Sequence, residues 1–163
     1  MDKRNRFIKL IQQNEGLIFK VATLYTKSLQ DKEDLYQEIV FQLWKALDTF
    51  NEESKLSTWM YRVAMNTAIY NLKSAKKQIN AISIENYTEC IDEESNVEEE
   101  ESLMILYQSI QTLSLLEKGI ILLYLEGKSH QEIAEIIGIS LSNVGTKIAR
   151  IKEKLRNKIK KTQ

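Results

Sequence analysis

The sequence predicts an all-α fold. Apolar residues recur at spacings of three and four along most of its 163 residues, which is the period of an amphipathic helix. Alternating strand patterns bounded by glycine or proline are missing, and the hydrophobic content of 43% is enough for a packed core. The periodicity predicts helices at about residues 4–27, 31–48, 57–77, 102–113, 115–126, 130–137 and 141–160.

The charged residues divide the chain into three blocks. Residues 1–77 carry 13 basic and 9 acidic side chains, residues 78–117 carry 10 acidic and no basic ones, and residues 118–163 carry 10 basic and 4 acidic ones. Two net basic blocks around an acidic one suggest two nucleic-acid-facing modules. We therefore expect two small helical domains, residues 1–78 and 103–163, joined by a flexible acidic linker over residues 79–102.

The linker has two interpretations. Its polar and acidic residues cannot bury enough apolar surface to offset the entropy lost on ordering, so the simpler interpretation is a flexible tether. The alternative is that its carboxylates, above all the run from Glu98 to Glu101, imitate nucleic-acid phosphates inside a basic channel. The sequence favours the tether.

Several classes of protein are disfavoured by composition. No apolar run reaches the roughly 18 residues of a membrane-spanning helix, and the N-terminus turns polar before a signal-peptide core could form. The single cysteine, Cys90, and the single histidine, His130, leave little for a disulfide, a metal site or a catalytic Cys/His pair. We therefore expect a cytoplasmic protein that has no membrane insertion, no cofactor, no metal and no enzymatic activity.

The most specific local pattern lies near the C-terminus. Ser129 followed by Glu132 is a capping box, which starts a helix. Gly138 can adopt the left-handed conformation that ends this helix, and Ser140 can cap the next one. A helix, a tight turn and a second helix are typical of the helix-turn-helix motif.

The second helix of this motif combines an apolar stripe with a basic outer face. The predicted stripe comprises Leu141, Val144, Ile148, Ile151, Leu155 and Ile159. The candidate DNA-contacting residues lie on the opposite face and are Asn143, Thr146, Lys147, Arg150 and Lys154. Residues 147–161 contain eight basic residues and one acidic residue. This composition favours a DNA-reading helix over an amphipathic helix that is only solvated.

The N-terminal module contains an amphipathic helix in DKEDLYQEIVFQLWKALDTF. Its predicted core stripe comprises Leu35, Ile39, Leu43 and Leu47. Another face carries Asp34, Gln37, Glu38, Phe41 and Lys45 at helical spacing. An exposed phenylalanine beside carboxylates would indicate a protein-docking surface. The pattern equally allows Phe41 to lie in an interface with a neighbouring helix.

The next helix, STWMYRVAMNTAIYNLKSAKK, divides in a similar way. The predicted inner stripe comprises Tyr61, Met65, Ala68, Leu72 and Ala75. The outer face begins near Trp59 and continues with Arg62, Asn66, Tyr70, Lys73 and Lys77. Basic, amide and aromatic groups in this arrangement can hold phosphates and stack on unpaired bases. Burial in the core is the alternative for the aromatic residues.

These segments resemble those of the extracytoplasmic-function (ECF) RNA polymerase sigma factors. The resemblance rests on DLYQEIVFQLWKAL, STWMYRVAMNTA, the acidic linker and EIAEIIGISLSNVGTKIARIKEKL, in that order, and covers nearly the whole chain. It implies a factor that directs core RNA polymerase to promoters and melts DNA. Region 2 would bind the clamp helices of the largest subunit and capture the minus-10 element, and region 4 would read the minus-35 element and contact the flap of the second-largest subunit.

The resemblance also implies roles for particular residues. Asp34, Gln37, Glu38 and Trp44 match the polymerase-docking segment of the family. Together with Phe41, which the face pattern indicates, they are the candidate polymerase-binding residues. Residues 50–57 would receive a flipped base, and Asn66 with the helix around it matches promoter-melting positions. The outer-face residues of that helix are then the candidate minus-10 contacts: Trp59, Arg62, Asn66, Tyr70, Lys73 and Lys77. Thr146, Lys147 and Arg150 match recognition-helix positions. The chain departs from the common pattern at Lys73, where arginine is frequent, and at Gly145, where a larger polar or basic residue is frequent.

One further partner and one alternative function stay open. The resemblance allows an anti-sigma factor as a partner. The alternative function is a stand-alone helix-turn-helix regulator whose N-terminal module serves as a sensor or dimerisation domain. Only the sigma factor would depend on core RNA polymerase.

Overall fold

The computed structural model describes the backbone of residues 2–79 and 97–162 and the side chains of residues 2–75 and 98–161. These residues form helices and contain no strand, which confirms the all-α prediction. The helices are α1 (Lys3–Gln13), α2 (Glu15–Leu24), α3 (Leu29–Ala46), α4 (Leu56–Ile79), α5 (Val97–Gln111), α6 (Leu115–Leu125), α7 (His130–Ile137) and α8 (Leu141–Thr162). The chain divides into two compact units, residues 1–90 with α1–α4 and residues 91–163 with α5–α8.

The N-terminal unit is built on the mutual packing of α2, α3 and α4. Its largest fully buried side chains are Ile18, Val21, Ile39, Leu43, Met60 and Met65. The predicted stripes are buried at Leu35, Ile39 and Leu43 in α3 and at Tyr61, Met65 and Ala68 in α4. Leu47 is only half-buried because α3 gives way there to a 3₁₀ turn, Leu47–Thr49. Leu72 and Ala75 are also half-buried, farther along α4.

The helix predicted at residues 4–27 is in fact two helices, α1 and α2, which meet at Asn14. The backbone of Asn14 leaves the helical region, with φ −128° and ψ 22°. Its side-chain amide donates to the Leu10 carbonyl at 2.8 Å, and its backbone N–H donates to the Ile11 carbonyl at 3.0 Å. Asparagine competes with regular helix through such local bonds, so a break occurs within a continuous apolar pattern.

The first helix of the second unit begins earlier than the sequence predicts. Helix α5 starts at Val97, so the last residues assigned to the linker are helical. Its first turn contains Glu98, Glu99 and Glu100, whose carboxylates favour the positive end of the helix dipole. At the other end of the predicted linker, Ile79 is the last residue of α4, and residues 80–96, including Cys90, lie outside the described residues.

The helix-turn-helix prediction is confirmed in α7 and α8. The Ser129 hydroxyl accepts from the Glu132 backbone N–H at 3.1 Å, Gly138 has a left-handed φ of 83°, and the Ser140 hydroxyl accepts from the Asn143 N–H at 3.3 Å. The core of this motif includes Ile133, Ile136, Val144, Ile148 and Ile151. The prediction for Leu141 is wrong, since it is 57% exposed. It is the first residue of α8 and lies beyond the packed segment that starts at Val144.

Two polar contacts between α6 and α8 were not foreseen from the sequence. Glu117 forms a reciprocal capping box with Ser114 at the start of α6, and its other carboxylate oxygen lies 2.7 Å from the Lys154 ammonium. The Lys152 ammonium donates to the Tyr124 hydroxyl at 2.6 Å. No local pattern announces these pairs because their members are 37 and 28 residues apart.

The two glycines of the helix-turn-helix are expected to respond to alanine with opposite signs. Gly138→Ala should lower the free energy of unfolding by about 1 kcal/mol, because an L-residue is strained at its φ of 83°. Gly145→Ala should raise it by roughly 0.5–1 kcal/mol, because alanine is the better helix former. The added Cβ would lie 4.0 Å from His130 Nδ1, an ordinary contact. Chemical denaturation followed by circular dichroism measures both; changes of the same sign would contradict the assignment.

The Glu117 carboxyl should make stability depend on pH. Partial burial opposes its ionisation, but hydrogen bonds from Lys154 and Ser114 outweigh that effect, so the pKa of Glu117 lies below its ordinary value. A lowered folded-state pKa adds stability that is complete above the unfolded-state pKa, about 4.3, and is lost as the pH falls through the folded-state value.

We therefore expect Glu117→Gln to reduce the loss of unfolding free energy on acidification from about pH 6 to pH 3. Chemical denaturation at several pH values measures the profile. The matched control is Glu153→Gln, at an exposed site on α8, which should keep the parent's profile. Identical profiles for the parent and Glu117→Gln would refute the expectation.

Candidate docking and nucleic-acid interfaces

The outer face of α3 presents the predicted docking residues around an exposed aromatic ring. Phe41 is 52% exposed, which decides against its burial in a helix interface. Asp34 and Gln37 are exposed on the preceding turns, and Glu38 is half-buried. The Glu38 carboxylate accepts from the Gln42 side-chain amide at 2.9 Å, which orients it beside the ring. An apolar group framed by carboxylates and amides is therefore available to a partner.

Trp44 differs from the other docking residues because α1 covers part of it. The Phe7 ring meets the Trp44 ring edge-on, with centroids 5.1 Å apart. The Lys3 ammonium lies 4.4 Å from the Trp44 ring centroid and 2.7 Å from the Asp48 carboxylate. Trp44 is half-buried as a result. Sequence reasoning missed this cover because Lys3 and Phe7 belong to a separate helix.

The outer face of α4 carries the predicted minus-10 residues in a row. Asn66, Tyr70 and Lys73 are exposed at steps of four and three, and Tyr70 is 71% exposed. Arg62 is half-buried one turn earlier. Lys77 lies on the same helix, but its side chain is outside the described part of the chain. The row therefore offers an amide, an aromatic ring and an ammonium group to solvent.

Trp59 does not belong to this row, and its assignment as a surface aromatic is wrong. Trp59 is only 7% exposed, and its ring lies 4.9 Å from that of Phe50. The burial of a large apolar ring outweighed its position at the start of the outer face. Phe50 begins the loop before α4, so Trp59 anchors the segment predicted to receive a flipped base. Within that loop Glu52 has a left-handed φ of 63°.

The outer face of α8 presents most of the predicted minus-35 residues. Asn143, Thr146 and Arg150 are exposed, and Lys147 is half-buried, while the opposite stripe is buried from Val144 to Leu155. Gly145 is half-buried and faces His130 of α7. The Lys154 side chain is 56% exposed, but its ammonium is paired with Glu117 of α6. The structure thus separates Lys154 from the other four residues.

Neither a metal-binding cluster nor a membrane-spanning helix occurs in the part of the chain that the structure describes. Within residues 2–79 and 97–162, no three or more histidine, cysteine, aspartate or glutamate side chains are grouped so that they could hold a metal ion. Over the same ranges, the helices include none with the length and apolar character needed to cross a membrane.

Comparison with known proteins identifies both units. Residues 10–78 match the family model of Sigma-70 region 2, and residues 103–155 match that of Sigma-70 region 4. The chain is 33% identical to the ECF RNA polymerase sigma-E factor of Escherichia coli (strain K12), over 86% of this chain and 81% of the relative. It is 34% identical to the sigma-E factor of Haemophilus influenzae, over 86% and 82% of the two chains.

Solved structures share the fold at lower identity. The sigma factor RpoE of Bartonella quintana, solved in complex with the anti-sigma factor NepR, is 18% identical with a TM-score of 0.79 over 95% of this chain and 97% of that chain. CnrH, solved with the cytosolic domain of CnrY, is 18% identical with a TM-score of 0.70 over 99% and 92%. These matches do not favour a stand-alone regulator. The chain belongs to the ECF sigma factors, which direct RNA polymerase to promoters.

Proposed function

We propose that each of three exposed helix faces performs one step of promoter recognition and melting. Helix α3 docks on the clamp helices of the largest polymerase subunit, α4 captures the melted minus-10 element, and α8 reads the minus-35 element. The domains are region 2 at residues 1–78 and region 4 at residues 103–163, the latter also contacting the flap of the second-largest subunit. The chain contributes binding energy and no chemistry of its own. The observation that carries this proposal is the solvent exposure of the three faces opposite buried stripes.

Run-off transcription with purified core polymerase on genomic fragments tests the function as a whole. The chain should give specific transcripts only together with core polymerase, and the start sites would report its promoter sequence. Specific DNA binding that is equally strong without core polymerase would instead indicate a stand-alone regulator.

The docking assignment is supported by the character of the α3 face. Phe41 supplies an exposed aromatic group of the kind that dominates interface energies when it fills a pocket. Asp34 and Glu38 surround it with carboxylates, which select a partner with basic or amide groups. Trp44 supports this surface from the α1 side. We therefore place the energetic centre of docking at Phe41.

Replacing Phe41 and Glu38 together with alanine should abolish co-purification with core polymerase and leave the helical circular dichroism intact. Loss of an aromatic hot spot typically costs about 2 kcal/mol or more. Phe19→Ala is a matched control, because Phe19 is 51% exposed and lies under a lysine ammonium, as Phe41 does. The Lys32 ammonium is 4.1 Å from the Phe19 ring centroid, and that of Lys45 is 5.4 Å from the Phe41 ring centroid. Unchanged core affinity in the double variant, or equal loss in the control, would rule out the assignment.

The minus-10 assignment is supported by the exposed row on α4. The Tyr70 ring is available for stacking on an unpaired base, a contact worth about 1–3 kcal/mol in single-strand binders. Asn66 can hydrogen-bond a base edge, and Lys73 can hold a phosphate as a point charge, without arginine's bidentate fork. Buried Trp59 contributes by packing against Phe50 and so fixing the adjoining loop.

The minus-35 assignment is supported by two cationic side chains of α8, those of Lys147 and Arg150. Arg150 projects from α8 away from Val144, Ile148 and Ile151, and half-buried Lys147 lies at the edge of the same outer face. Arg150 is exposed, and its planar fork can satisfy both acceptors of a guanine in the major groove. Lys147 offers a point charge that suits phosphate.

Arg150→Ala should therefore cost about 1–3 kcal/mol on the matching minus-35 sequence and much less on others. The helix should tolerate the change, because alanine is the stronger helix former and Arg150 is exposed. Binding and transcription by variant holoenzyme on a promoter library measure the preference at each position. If every position keeps the parent's preference, Arg150 reads no base.

Regulation and location extend the proposal. The sigma factor from Bartonella quintana was solved bound to an anti-sigma factor, and we propose a partner of the same class for this chain. Its site of action would be the cytoplasm, where core polymerase and promoter DNA are present.

A further inference from the structure

Two lysines of α8 contact side chains of α6. The Lys154 ammonium lies 2.7 Å from the Glu117 carboxylate. The Lys152 ammonium donates to the Tyr124 hydroxyl at 2.6 Å and lies 4.2 Å from the centroid of the same ring. Glu117 and Tyr124 are seven residues apart, which places them on the same face of α6 two turns apart. Two side-chain contacts thus join α8 to α6.

The contact to Glu117 differs from an ordinary surface ion pair. One Glu117 carboxylate oxygen accepts from the Ser114 backbone N–H at 3.1 Å, and the Glu117 backbone N–H donates to the Ser114 hydroxyl at 3.2 Å. The capping box therefore orients the carboxylate independently of its contact with Lys154. The glutamate side chain is only 17% exposed, against 56% for the lysine. Ordering one partner in advance removes part of the entropy cost that makes most surface pairs weak.

Both contacts lie close to the proposed reading face of α8 and so bear on its orientation. Lys152 and Lys154 lie two and four residues after Arg150, the last residue of the proposed reading face. Any rotation of α8 about its axis would break both contacts and also expose the buried stripe that contains Ile151 and Leu155. The two contacts therefore fix the direction in which Lys147 and Arg150 project.

We propose that Lys152 and Lys154 are positioning residues for the recognition helix, held by Tyr124 and Glu117, and are not phosphate contacts. This inference rests on the proposed minus-35 role of α8. It reassigns Lys154, which the sequence alone places among the DNA-contacting residues. It also adds Glu117, an acidic residue, to the groups on which DNA binding depends.

The sign of the effect of Glu117→Gln separates positioning from phosphate contact. If Lys154 contacted phosphate and Glu117 merely competed for it, removing the carboxylate would free the ammonium and tighten DNA binding. Under the positioning role, Glu117→Gln and Lys154→Gln should each weaken binding of holoenzyme to a minus-35-dependent promoter fragment by about two- to fivefold, the range of a well-formed surface pair. The double variant should bind DNA about as well as the single variant with the lower affinity, because each change removes the same contact. Lys154→Arg should restore parental binding, since arginine can also pair with the carboxylate.

Salt dependence supplies a second measurement. Lys154→Gln and Lys152→Gln should leave the slope of log binding constant against log salt unchanged, whereas loss of one phosphate contact lowers its magnitude by about 0.9. Lys160→Gln, on an exposed lysine of the same helix, controls for the general effect of removing a charge. Tighter or unchanged binding by Glu117→Gln, or a slope lowered by about one in Lys154→Gln, would overturn the positioning role.

The same assay distinguishes this failure from failure of the proposed function. Arg150→Ala and Lys147→Ala are measured alongside. If these two variants bind the minus-35 element like the parent, α8 is not the reading helix and the positioning role falls with it. If these two variants lose binding but Glu117→Gln and Lys154→Gln bind DNA like the parent, the proposed function stands and only the positioning role is wrong.

Discussion

The buried stripe of each functional helix determines which of its side chains can meet a partner. In α4, Met60, Ala64 and Ala68 are completely buried, and the helix packs on α2 and α3. Rotating it to hide Asn66 or Tyr70 would expose this stripe to water, at about 25 cal/mol for each Å² of apolar surface. The same constraint acts on α8 through Val144 and Ile151. Hydrophobic packing thus orients polar side chains that have little energetic preference of their own.

Charge is distributed among these faces according to their proposed partners. The face of α3 carries Asp34 and Glu38 beside Phe41, whereas those of α4 and α8 carry lysine and arginine. A net charge of zero therefore conceals surfaces of opposite sign. DNA affinity should depend strongly on salt through counterion release, while docking centred on an aromatic side chain should depend on it less. Holoenzyme assembly and promoter binding can then respond differently to ionic strength.

The parts of this protein that local sequence patterns predict are the helices, their buried stripes and the helix-turn-helix. Gly138 and Ser140 mark the turn because conformation and capping are properties of single residues. Periodicity could not place Trp59, since the same position serves either a core or a surface aromatic, and only packing against Phe50 decides between them.

Contacts between distant residues were also beyond prediction. The sequence groups Lys154 with the DNA-contacting residues because it shares their helix face and their charge. Its partner Glu117 lies 37 residues away, and no periodicity connects the two. The cover of Trp44 by Phe7 has the same origin. A residue's face on its own helix is encoded locally, whereas its neighbour on another helix depends on tertiary packing.

Gly145 shows how this distinction bears on promoter specificity. It lies between Asn143 and Thr146 in the proposed recognition helix, half-buried beside α7, and has no side chain to reach a base. The closest group to its missing Cβ is His130 Nδ1, at 4.0 Å, so α7 lies alongside the gap without closing it. Under the proposed function, base contacts must then come from the flanking residues Asn143, Thr146 and Arg150. With fewer side chains available to read bases, small errors in the angle of α8 become more damaging, and this raises the importance of the contacts that hold it on α6.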